Sequence, residues 1–215
     1  NNAVKLPSFE ELNAQAAESF HTLTFEHTYP IFSGSTIPVK TLGWADRFEG
    51  VTGVTVGLTG ESAVNPNVPS AGMPAAICKE MARRMCVYNQ SDAEFAAYLA
   101  CRVNSSEEFV YSGYLIAYRH CINALAAIDS EAGRDALSRV TSKEVSFVTR
   151  DVDTYSAFFG ENSKGVDEGA CNLFVSWYLQ EVDSKLNVDT ENKFDPMDET
   201  DSRLEDFLNP GGDEE

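Results

Sequence analysis

The residues with the best claim to chemistry lie on one apolar stretch, where Ser112, Arg119 and Asn123 fall within a narrow stripe at helical spacing and His120 sits at its edge. A guanidinium on a largely buried helix needs an acceptor, because an unpaired buried charge is costly. The plainer reading pairs Arg119 with Asp129, Glu94 or another carboxylate in a structural network. The sharper reading is an anion or RNA phosphate contact, built from Arg83, Arg84, Arg119, Asn123, Arg139 and Arg150 if these converge on one face. A third reading makes Arg119, His120 and Asn123 the polar centre of an enzyme whose other groups are dispersed.

Other constellations fail on spacing. Asp151 and Asp153 form a D-x-D, but on a helix residues two apart do not share a face, and the following residues lack the glycine of a calcium loop. His21 and His27 are separated by roughly 20 Å of strand at about 3.3 Å per residue, so they cannot share a metal. Cys121 follows His120 directly, and helical neighbours point about 100° apart, which rules out a dyad. The glycine-rich segment 50–60 carries neither G-x-G-x-x-G nor a phosphate-loop lysine, and Ser33-Gly34-Ser35 is not a nucleophile elbow. No metal and no cofactor is expected.

The elements that would position these side chains follow from periodicity. Ser8 and Glu11 have capping-box spacing and open a helix with Phe9, Leu12, Ala16 and Phe20 on one side. From His21 the period changes to two, so Leu23, Phe25, His27 and Tyr29 predict a half-buried strand that ends at Pro30. A second strand is expected over 54–58. The rest of 30–73 is rich in glycine and proline and reads as an arm, or a small sheet laid over another surface. Helices begin at Pro74, with Ile77, Cys78, Met81, Ala82, Met85 and Tyr88 facing inward. Lys79, Glu80, Arg83 and Arg84 face water, Glu80 and Arg84 as an i, i+4 pair. Ser91 with Glu94, Ser105 with Glu108 and Thr141 with Glu144 predict three more helix starts.

The stretch 107–128 is apolar almost all round and should be the central helix. Val145, Val148, Val152, Tyr155 and Phe159 resemble a short seam, with Gly160 as its C-cap, and a last helix is expected over 167–186. The expectation is therefore a mainly α protein with an N-terminal β/loop arm: residues 1–73 as helix and arm, 74–187 as a core of five or six helices, and 188–215 as an acidic tail.

The charge is zoned. Residues 79–150 are neutral, with nine bases against nine acids, whereas 1–78, 151–190 and 191–215 carry −4, −6 and −8 within a total of −18. Such a field repels nucleic acid and anionic lipid, so an RNA contact would have to be local and confined to the neutral middle. No apolar run reaches the roughly 18 residues of a membrane span. The five cysteines, Cys78, Cys86, Cys101, Cys121 and Cys171, have no C-x-x-C spacing and all fall in apolar helical patterns. They read as reduced, buried thiols in an intracellular or virion setting. The first residues carry neither Met nor a signal-like run, as a trimmed terminus would.

These features favour a non-enzymatic structural subunit that assembles with itself or with a larger complex, a viral coat or virion-associated protein being the most economical example. Next comes an adaptor docking through the acidic tail, where Phe194, Met197, Leu204, Phe207 and Leu208 stand among the acids. The dispersed enzyme comes last.

Overall fold

The computed structural model describes residues 7–25, 36, 38–43, 50–160 and 174. The first helix, α1 (Phe9–Phe25), opens on its capping box: Ser8 donates to Glu11 Oε2 from its amide (2.7 Å) and its hydroxyl (2.8 Å), and the Glu11 amide returns a bond to Ser8 Oγ at 3.2 Å. Leu12, Ala16, Phe20 and Leu23 are buried in sequence. Leu23 continues the i, i+4, i+3 series, so the expected strand from His21 is instead the last turn of α1. The Thr24 hydroxyl folds back onto the Phe20 carbonyl at 2.9 Å. His27 and Tyr29, also assigned to that strand, lie outside the described residues.

Three short strands follow: β1 (Lys40–Thr41), β2 (Gly53–Val56) and β3 (Glu61–Val64), in the order β1-β3-β2. β2 and β3 form an antiparallel hairpin with Thr55 opposite Ser62, and β1 runs parallel to β3. Leu58, which the sequence places on the second strand, stands in the hairpin turn and is 96% exposed. Asn13 secures β1 to α1 by accepting from the Val39 amide at 2.9 Å and donating to the Phe9 carbonyl at 3.1 Å. The described part of the arm therefore packs on its own chain: the hairpin lies across the second helix.

The helical core comprises α2 (Met73–Arg84), α3 (Gln90–Val103), α4 (Glu107–Ala127), α5 (Glu131–Thr141) and α6 (Ser146–Phe159). Pro74 sits in the first turn of α2, where its missing N–H leaves nothing unpaired. The most buried helices are α2 and α3, not α4. Alanines 93, 96, 97 and 100 let the neighbours of α3 approach closely, and only Phe109, Ser112, Gly113, Leu115 and Ile116 of α4 are buried. A Cβ at Gly113 would lie 2.7 Å from that of Cys101, so glycine sets the α3–α4 approach.

The helix starts differ from expectation. Asn89 caps α3, accepting from the amides of Ser91 and Asp92, which frees Glu94 for another task. Ahead of α4 the Ser106 amide donates to Asn104 Oδ1 at 2.7 Å, and Glu108 takes the Ser106 hydroxyl, not that of Ser105. Thr141 ends α5, while Glu144 accepts from Tyr118 and Thr149. Of the seam residues Tyr155 is buried, Val148, Val152 and Phe159 are half-buried, and Val145 is exposed; Gly160 closes α6 with φ 51°. The expected helix over 167–186 and the acidic tail lie outside the described residues, Phe174 excepted.

Candidate functional site

The polar centre of the molecule is built on α2. Lys79 and Glu80, assigned above to a solvent arc, are 6% and 0% exposed. The β2–β3 hairpin covers that arc and supplies hydroxyls to it. Lys79 Nζ donates to Thr52 Oγ1, and Thr55 Oγ1, 2.7 Å from Ser62 Oγ, donates to Glu80 Oε2 at 2.9 Å. The hairpin can come this close because residue 53 is glycine: a Cβ there would lie 2.5 Å from Glu80 Cγ. Glu80 Oε1 also faces Arg83 at 3.3 Å and Lys79 at 3.9 Å. The partner of Glu80 is thus Arg83, one turn away, and not Arg84, which is half-buried at the end of α2.

The network crosses from α2 to α3 and then to α4. Arg83 donates to Gln90 Oε1, and Gln90 donates to Glu94 Oε1. Glu94 Oε2 lies 2.7 Å from His120 Nε2, and the imidazole stacks on the Phe174 ring with centroids 5.1 Å apart. Burial pushes the Glu94 carboxyl up, but the His120 hydrogen bond and the charges of Lys79 and His120 outweigh it, with Gln90 adding to them, and hold it at about 2. An ionised carboxylate only accepts, so His120 Nε2 carries the proton of that bond. Burial lowers the Lys79 ammonium from its ordinary value, opposed first by Glu94 and then by Glu80. Both carboxylates therefore act on the same cation.

Arg119 lies on the other side of Glu94. Its guanidinium stacks over Tyr155 and Phe159 of α6, 4.5 and 4.9 Å from the ring centroids. Aromatic faces thus supply part of what the expected carboxylate partner would have given, and Glu94 acts on Arg119 through its charge. Gly72, just before α2, leaves room for the Tyr155 ring, which a side chain there would overlap. Ser112 serves the fold by accepting from the Ala75 amide at 3.2 Å, and Asn123 is half-buried farther along α4.

The six residues expected to contact an anion occupy several settings. Arg83 belongs to the charge centre, Arg84 is half-buried at the end of α2, and Arg119 lies over Tyr155 and Phe159 of α6. Arg150 pairs with Asp151 at 2.9 Å, Arg139 is exposed at the end of α5, and Asn123 stands apart. Asp151 is tied by the Tyr111 hydroxyl at 2.8 Å, which accounts for half of the D-x-D. Cys78 and Cys101 are buried with their sulfurs 3.9 Å apart, whereas Cys86 and Cys121 are exposed. Cys86 breaks the helical pattern outright, with φ 70° in the turn after α2, and Cys171 lies outside the described residues.

Sequence reasoning missed Lys79, Glu80 and Gln90, while Glu94 is expected only as a capping residue or a partner of Arg119 and not as a partner of His120. A signal was present in Lys79-Glu80-Met81-Ala82-Arg83, because K-E-x-x-R has the spacing of H-E-x-x-H with a cation at each histidine. Among the described residues no three of His, Cys, Asp and Glu group as metal ligands, and no helix is long and apolar enough to cross a membrane. No curated protein and no solved structure matches the chain. A family model described as a protein of unknown function, DUF3810, matches residues 2–185. A match of that length places the chain in the DUF3810 family.

Proposed function

We propose that the protein is a non-enzymatic subunit that works through its surfaces, with its buried polar centre serving the fold. The observation that carries this reading is the pairing of the carboxylates of that centre with donors of the protein. Lys79 and Arg83 meet Glu80, Glu94 meets His120, and the remaining oxygens accept from Thr55 and Gln90. Each oxygen of the two carboxylates is already engaged by a donor of the protein, which is the arrangement of a structural polar network. The surface adds support: Tyr114, Ile128, Val140, Val145 and Phe147 of α4 to α6 expose 41–55% of their area. Assembly with copies of itself or with other subunits would bury such groups.

Light scattering on the full chain over a range of concentration tests it. Reversible association is expected, and Val145→Ser with Phe147→Ser should shift the species towards monomer. A wild-type chain that stays monomeric, together with turnover abolished by Glu94→Gln, would overturn the proposal.

A further inference from the structure

We infer that the α2–α3 centre is a metal site converted to fixed charge, in which Lys79 and Arg83 stand at the two helical ligand positions, Glu94 at the third, and Glu80 at the position of the base. Zinc hydrolases hold their ion with two histidines at i and i+4 on one buried helix face, place a glutamate at i+1, and complete the set with a third group. Here α2 gives the i and i+4 positions to Lys79 and Arg83 and the i+1 position to Glu80. The neighbouring α3 brings Glu94 to the same centre through Gln90, which bridges it to Arg83. The surroundings are those a metal centre requires. Glu94 is oriented by His120 at 2.7 Å, as ligating groups are by their outer partners, and the hairpin hydroxyls of Thr52 and Thr55 hold the α2 side chains from the far side.

The donor chemistry decides against a metal in this chain. A guanidinium has no lone pair to give at any accessible pH, and a lysine is a ligand only once it has lost its proton. What such an ion would supply electrostatically, positive charge between Glu80 and Glu94, the two side chains supply instead. Lys79 lies within the fields of both carboxylates, which oppose the effect of burial on it. Fixed cations satisfy buried carboxylates without binding water as a nucleophile, so the centre keeps its architecture and loses the means of hydrolysis. This inference rests on the non-catalytic reading above and says what the centre is.

The test restores the ligands. Full-length Lys79→His/Arg83→His is purified, stripped with chelator and titrated with zinc; the readouts are bound metal by mass spectrometry and the thermal unfolding midpoint. The expected result is about one zinc per chain, with unfolding shifted upward by zinc and reversed by chelator. Adding Glu94→Gln removes a direct ligand and should weaken the binding by more than the roughly 10–100-fold that loss of an outer partner costs. Lys79→Met/Arg83→Met removes the same charges without adding ligands and should not respond to zinc. A double-histidine variant that takes up no zinc overturns the inference. So does one that stays unfolded with zinc present, because binding free energy at a preserved site is folding free energy. Those failures leave the association experiment untouched. Stoichiometric zinc bound by wild type at this centre, with metal-dependent hydrolysis, would overturn both.

Discussion

Glu94 shows how far a residue's role depends on its neighbours. Its spacing from Ser91 suggests a cap, yet Asn89 takes that role and the carboxylate reaches across to His120. Asn89, two residues ahead of Ser91, decides the cap, but nothing local points Glu94 towards His120. A consequence follows for acid stability. The Glu94 carboxyl lies at about 2 when folded, against an ordinary 4.5, so the folded state favours the ionised form. That contribution, on the order of 3 kcal/mol, is fully present above about pH 4.5 and is lost as pH falls towards 2. Urea titrations between pH 7 and pH 3 should show stability falling in the wild type and falling less in Glu94→Gln. Equal slopes would contradict the assignment. The thiols divide in the same way: with an alkylating reagent on native protein, Cys86 and Cys121 should react, while Cys78 and Cys101 should wait for unfolding. Rapid labelling of Cys78 would show that the α2–α3 interface opens.

At the scale of elements, hydrophobic spacing read well and capping read poorly. Leu12, Ala16 and Phe20, or Ile77, Cys78, Met81 and Ala82, are buried as their periodicity requires. Of the four capping boxes only Ser8 with Glu11 forms. The Ser91 and Ser105 boxes fail because Asn89 and Asn104 compete as local acceptors near the true helix starts, and the Thr141 box fails because Thr141 is the last residue of α5, whose start is capped by Ser130. Ser130 Oγ accepts from the Gly133 amide at 3.0 Å. Ser130→Ala should therefore cost about 1 kcal/mol in urea unfolding, whereas Ser105→Ala should stay within about 0.5 kcal/mol of wild type. The reverse order would return α4 to the capping box read from its sequence. The strand assigned from His21 failed for a related reason. Threonines alternating with apolar residues mimic a period of two, but Leu23 also continues the buried face of α1, and packing on the core decided between them.

For the whole molecule, composition and the shift of period after Pro74 were enough to read a mainly α chain with an N-terminal β/loop region. The polar centre was hidden, because its location depends on a hairpin 25 residues or so upstream folding over one face of α2. An amphipathic reading must send Lys79, Glu80, Arg83 and Arg84 to water, since a helix wheel has no knowledge of Thr52, Gly53 and Thr55. The central claim is that the charges of Lys79, Glu80 and Arg83 are paired with one another to hold the fold. Unfolding free energies in urea test it most directly, for Glu80→Gln and for the triple variant Lys79→Met/Glu80→Leu/Arg83→Met. Removing Glu80 leaves Lys79 with only the more distant charge of Glu94 and Arg83 with only the neutral Gln90. The loss should approach about 3–5 kcal/mol, while removing all three should recover most of it. A Glu80→Gln chain as stable as wild type, or a triple variant no better than the single one, would contradict it.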